Sequence, residues 1–247
     1  MAENKRGTLS HYMKETRRPI YAILAAAPFF VAYEAGILLY GGLQGNPRNG
    51  VEALMDWMLG HPLGHYGAIL VFVTLGIFVL YHQKREESMT REAVVKGYIP
   101  ALCVESFFYA GILFLLPASL HKWLASAALA SGGGGGSLGY DLLVTSCGAG
   151  AYEELLFRLL LLALVGSICF RLFSVPKGWS AAIAVVVTSL LFSGAHYIGY
   201  SFDWPSFLFR FAAGMYFAAI CTYRSFGAAV ATHAFFDMMF FARLHLG

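Results

Sequence analysis

Two adjacent glutamates and an arginine, Glu153, Glu154 and Arg158, stand in the run GAYEELLFRLL (150–160), whose remaining residues are almost all apolar. A charge at the centre of a bilayer costs about 2.5–3.5 kcal/mol on the insertion scale, so such groups persist when they are paired, neutralised or used. On a helix of about 3.6 residues per turn Glu154 and Arg158 share a face, with the acid toward the amino terminus as the favourable order requires, and they can pair. Glu153 is turned about 100 degrees away and has no partner within its own helix. That leaves a desolvated carboxylate free to act as a general base. The bland alternative is a buried ion pair with a spare glutamate.

Two further apolar runs carry polar exceptions. In LLFSGAHYIGY (190–200), Phe192 and His196 are four apart, and in ATHAFFDMMFF (231–241), His233 and Asp237 are four apart. Taken singly, the first reads as an interfacial histidine satisfied by water or backbone, and the second as a self-satisfied histidine–aspartate contact. Three polar exceptions on three of the last four apolar runs argue against accident, because ionisable groups inside a membrane face one another. A carboxylate without a partner beside two imidazoles and a second acid is a set in which one group can serve as a general base.

Helices within a bilayer must position these groups. Of the 247 residues 58% are hydrophobic and 13% charged, the composition of a polytopic membrane protein. A span needs roughly 20 mostly apolar residues. Seven are predicted, at about 20–42, 65–82, 98–118, 141–170, 180–199, 206–222 and 226–243, with six to eight as the range. The fold class is thus all-α, a transmembrane helical bundle. Net charge is +3, too little to indicate nucleic acid as a partner. Basic residues gather before span one (Lys5, Arg6, Lys14, Arg17, Arg18), between spans two and three (Lys84, Arg85, Arg91, Lys96), after span four (Arg171, Lys177) and before span seven (Arg224). By the positive-inside rule the amino terminus is cytoplasmic and the carboxyl terminus outside. The first span follows its basic residues without a small-residue cleavage site and reads as retained. Cys103, Cys147, Cys169 and Cys221 all fall in spans, as buried inert thiols.

The glycine-rich SGGGGGS (131–137) divides the chain into an N-terminal part, 1–138, with three spans, and a part at 139–247 with four spans and all of the candidate chemistry. EALMDWMLG (52–60) suits a helix in the outer interface, and REESMTREAVVKG (85–97) a cytoplasmic loop with a short helix. Glu34, Glu105 and Arg210 are further charges within spans, Glu105 and Arg210 being a candidate pair.

The series Glu153-Glu154-x-x-x-Arg158, Phe192-x-x-x-His196 and His233-x-x-x-Asp237, in order on successive apolar runs, resembles the signature of the CPBP family. These are the CAAX-protease and bacteriocin-processing proteins, which include the Rce1-type glutamate intramembrane endopeptidases. The resemblance covers about 139–243, and the first three spans match nothing in it. It implies a multi-pass protein of a bacterial plasma (inner) membrane that hydrolyses a peptide bond in a membrane-delivered peptide or protein tail. In it Glu153 is similar to the base that activates water together with His196. Glu154 and Arg158 resemble the pair that fixes the helix, and His233 with the residue four later resembles an oxyanion-stabilising pair. The family often has asparagine at that last position, and an ionised Asp237 cannot donate a hydrogen bond, so Asp237 is expected to orient His233.

No cofactor is expected. The rival reading is a zinc protease, since Glu153, His196, His233 and Asp237 are zinc-type donors, although there is no HExxH helix. Ser189, Ser193 and Cys147 lie near the motifs without a nucleophile turn to expose them. A transporter would use midplane charges with broken helices and repeated halves, and no repeat is present. A non-catalytic member that binds a partner is the remaining class. The motifs' positions along their spans predict a site from mid-membrane toward the outer leaflet.

Overall fold

The computed structural model describes residues 9–39, 60, 63–90, 94–115, 137–198 and 201–246, which form helices joined by turns, with no strand among them. The helices are α1 (Leu9–Glu15), α2 (Pro19–Leu39), α3 (Leu63–Thr90), α4 (Tyr98–Phe114), α5, α6 (Lys177–Ala195), α7 (Trp204–Tyr223) and α8 (Phe226–Leu246). Helix α5 is a continuous helical run from Leu138 to Arg171. The chain is an all-α membrane bundle. By length and composition α2, α6 and α7 each suffice to cross a bilayer, while Ile69–His82 and α4 are shorter apolar helices. The interfacial EALMDWMLG helix, apart from its final Gly60, and SGGGGGS, apart from Ser137, lie outside the described residues. The stretch from Arg85, expected as a cytoplasmic loop with a short helix, is helical up to Thr90, where it forms the end of α3 and not a separate helix.

Helix α8 is the axis of the molecule. Every residue from Phe226 to Ala234 is buried, the sign of a helix enclosed on all sides. Its small residues admit α2, α4 and α5 to close range. A side chain at Gly227 would run into the Ala22 carbonyl of α2, and one at Gly150 of α5 would come within 2.8 Å of the Val230 carbonyl oxygen and Ala234 Cβ of α8. Overpacking such a contact costs about 1–3 kcal/mol. Gly150→Val should therefore lower the thermal unfolding midpoint in detergent and, by pushing α5 off α8, reduce activity as well. An unchanged midpoint would show that the two helices do not set one another's spacing.

Helix α5 departs from ordinary α geometry. Asp141–Ser146, Ala149–Glu153 and Leu155–Leu161 follow π-type hydrogen bonding, and regular α-helix resumes at Leu162. Such wider turns cluster at functional sites, and here they cover the stretch that carries both glutamates and Arg158. The first half of α5 packs on α8 and α2, the second half on α6, and α6 packs on α7.

Polar clusters close the two ends. At one end Arg224, in the turn between α7 and α8, grips Glu105 of α4 through Nε (2.5 Å) and Nη2 (2.7 Å), and Nη2 also donates to Thr16 Oγ1 (3.1 Å). Tyr12 and Tyr109 hydroxyls donate to the same carboxylate at 2.6 and 2.5 Å. Burial, reinforced by the Glu105 carboxylate, holds the Tyr12 phenol above its ordinary range and so keeps it a donor. Glu105 thus pairs with Arg224, not with Arg210 as expected, because the turn carries Arg224 over α4 and a bidentate guanidinium satisfies both carboxylate oxygens. At the other end His245 Nε2 of α8 meets Asp141 Oδ2 of α5 at 2.7 Å.

Candidate active site

Glu154 is fully buried where α5 meets α8. Its Oε1 lies 2.9 Å from His233 Nδ1 and its Oε2 lies 3.3 Å from Arg158 Nε. A carboxylate only accepts, so the ring nitrogen facing it carries the proton. Arg158 survives the loop-free interior because Glu154 compensates its charge and because its guanidinium lies 4.8 Å from the centroid of the Phe192 ring. Phe217 of α7 stacks on the His233 ring at 4.4 Å and 16°. The imidazole is therefore fixed by a hydrogen bond at one edge and an aromatic face.

Glu153, the next residue, faces elsewhere. Its Oε2 has no hydrogen-bond partner and lies 3.7 Å from His196 Nε2. His196 directly follows α6, whose last carbonyls lack helical N–H partners, and one of them, Phe192 O, takes its Nδ1 at 2.8 Å. A carbonyl only accepts, so Nδ1 carries the proton and the neutral ring presents a bare Nε2 to Glu153. Two acceptors at that distance cannot bond each other. They can both accept from one water lying about 2.8 Å from each, the length of an ordinary hydrogen bond.

Asp237 Oδ2 lies 3.7 Å from His233 Nε2, beyond a direct hydrogen bond. The expected orienting role is thus taken by Glu154. Spacing on α8 places Asp237 beside the ring, but the hydrogen-bonded edge of that ring faces α5. The side chains of Glu154 and Arg158 are 0% exposed, against 19% for Asp237 and 24% for His196. The assembly has a sealed side formed by Glu154 and Arg158 and a partly exposed side formed by His196 and Asp237, with Glu153, 9% exposed and its Oε2 covered, facing His196.

All six residues singled out from the sequence converge here, supplied by α5, the end of α6, and α8. The competing nucleophiles do not join them. Ser193 Oγ donates to Phe207 O at 2.7 Å, Ser189 is fully buried, and Cys147 Sγ points to Leu142 O at 3.6 Å. Among the described residues no three His, Cys, Asp or Glu side chains draw close enough to hold a metal ion. Phe217 escaped sequence reading, since one phenylalanine among 21 in the chain carries no signal. Arg210 was visible as a charge in a span, but its neighbours were not. It donates to Ser206 Oγ (2.8 Å) and Tyr197 Oη (3.4 Å) and sits in electrostatic range of Glu153, His196 and Asp237.

Residues 135–239, somewhat under half of the chain, match the family model described as type II CAAX prenyl endopeptidase Rce1-like. That match bears out the resemblance read from the three motifs. No curated protein and no solved structure matches the chain.

Proposed function

From the match of residues 135–239 to the Rce1-like family of type II CAAX prenyl endopeptidases, we propose that the chain hydrolyses its substrate through a water activated by Glu153 and His196. At the coarser level the chain is a membrane peptidase, and its substrate is a peptide or protein in the membrane. The observation that carries the finer reading is the pair of facing acceptors, Glu153 Oε2 and His196 Nε2, 3.7 Å apart, with His196 the more exposed of the two.

A water donating one O–H to each acceptor turns a lone pair toward a peptide carbonyl presented from the side of His196. As oxygen attacks carbon, Glu153 takes the water's proton and the carbonyl oxygen becomes an oxyanion. His233, its Nδ1–H held by Glu154, offers Nε2 to that oxygen, and the flanking carboxylates of Glu154 and Asp237 offset the charge of a doubly protonated ring. Collapse of the intermediate breaks the C–N bond, and Glu153 returns the proton to the leaving amine. The new carboxylic acid gives its remaining proton to the amine, so the products are a carboxylate and an ammonium group, with no covalent enzyme intermediate. No cofactor enters this scheme.

The test is a cleavage assay in proteoliposomes with a membrane-inserted tail peptide, comparing parent and His196→Ala, each with and without chelator. Cleavage should fall about 10²–10⁴-fold in His196→Ala and be indifferent to chelator. Loss with chelator and recovery with zinc would instead establish the metalloprotease reading. Full activity of His196→Ala would remove the water-holding pair from the chemistry.

A further inference from the structure

Three of the described arginines each face a carboxylate. Arg158 faces Glu154, Arg224 faces Glu105, and Arg18 faces Glu15. Among the described residues no carboxylate lies within ion-pair distance of Arg210. Both of its hydrogen bonds leave from Nη1, to the neutral Ser206 and Tyr197, and its guanidinium also lies 5.5 Å from the centroid of the Tyr197 ring. These partners fix one corner of the group. Among the described residues Nε and Nη2 have no hydrogen-bond partner, and neither is among the sealed, unpaired polar atoms. The Nε/Nη2 edge is therefore reachable from outside, and it is the edge whose parallel N–H groups match the two oxygens of a carboxylate.

Position adds to this. Arg210 stands on the first half of α7, held next to the His196 end of α6 by the Ser193 to Phe207 hydrogen bond. Ser206, its anchor, is itself fixed by Asp203, which accepts from the Ser206 backbone N–H at 2.9 Å and caps the helix. An immobilised cation with an open bidentate edge lies within electrostatic range of two acids of the site, Glu153 and Asp237, where an anionic group on the substrate would meet repulsion unless a cation received it.

We propose that Arg210 is a specificity-determining residue that receives a carboxylate of the peptide entering the site through its Nε/Nη2 edge. This rests on the peptidase reading of the same site. It makes negative charge on the substrate a requirement for tight binding rather than an obstacle.

Binding and cleavage test it separately. Two membrane-inserted fluorescent peptides, identical except for a free carboxylate or an amide at the carboxyl terminus, are titrated against Glu153→Gln protein in nanodiscs. A third, amidated peptide carries one aspartate at its end. The free-acid and aspartate peptides should each bind about ten- to a hundredfold more tightly than the plain amide, the difference expected of a charge-assisted bidentate contact. Adding Arg210→Gln should collapse that ratio to near one, and Arg210→Lys should restore part of it. In otherwise unmodified protein the same ratio should appear in KM rather than kcat. Equal binding of acid and amide peptides, a ratio that survives Arg210→Gln, or a ratio carried by kcat would each overturn the assignment. Melting of every variant in the same discs separates misfolding from lost recognition. Charge-selective binding without hydrolysis by any variant would sink the peptidase mechanism and leave the carboxylate site standing.

Discussion

Glu153→Gln should reduce peptide hydrolysis by about 10²–10⁴-fold, the range lost when a positioned general base is removed, while leaving the fold in place. Glutamine keeps the volume and one carbonyl oxygen toward His196, so a water can still be held, but nothing takes its proton. The side chain lends no other visible support, since its Oε2 has no hydrogen-bond partner and faces the bare Nε2 of His196 at 3.7 Å. The unfolding midpoint in detergent should consequently stay near that of the parent or rise, because a buried acid becomes neutral. Single-turnover cleavage of a membrane-inserted peptide measures the first effect and a thermal melt the second. A Glu153→Gln protein that cleaves at the parental rate would end the proposed mechanism. One that loses both cleavage and stability would make Glu153 structural.

Arg158→Ala should produce the opposite pattern, a collapse of stability that takes activity with it. Removing one partner of a buried ion pair costs about 3–5 kcal/mol because the other charge is left uncompensated. Here that charge is Glu154, fully buried and also bound to His233. The substitution further empties the space beside the Phe192 ring, 4.8 Å from the guanidinium. The double variant Glu154→Gln with Arg158→Met removes both charges and fills the volume. It should recover most of the lost stability and little of the activity, since His233 has exchanged a carboxylate for an amide. Denaturation of the three proteins side by side measures this. A stable Arg158→Ala protein would show that the pair is not the internal support of α5.

These contrasting outcomes distinguish two neighbours in the sequence. Glu153 and Glu154 are chemically identical, and counting along a helix separated them correctly into one paired acid and one unpaired acid. The third partner of Glu154, His233, was beyond that counting, as the contact joins α5 to α8 across 79 positions. The same limit explains the roles of Asp237 and Arg210. Spacing of four on α8 put Asp237 near His233, but only the approach of α5 decided which carboxylate holds the ring. Spacing said nothing of Glu105, whose partner proved to be a turn arginine 119 positions away.

The sequence by itself determined that the chain is helical and membrane-embedded, that six polar residues on three apolar runs belong together, and that Glu153 lacks an intrahelical partner. Each of these follows from local periodicity and from the cost of a charge in oil, which act within one helix. Tertiary structure alone decided the tautomers of both histidines, the replacement of Asp237 by Glu154 as the clamp on His233, the π-type turns of α5, and the open edge of Arg210. Those depend on how closely small residues such as Gly150 and Gly227 let helices approach. Helix packing is a property of pairs of surfaces, and no single stretch of residues contains it.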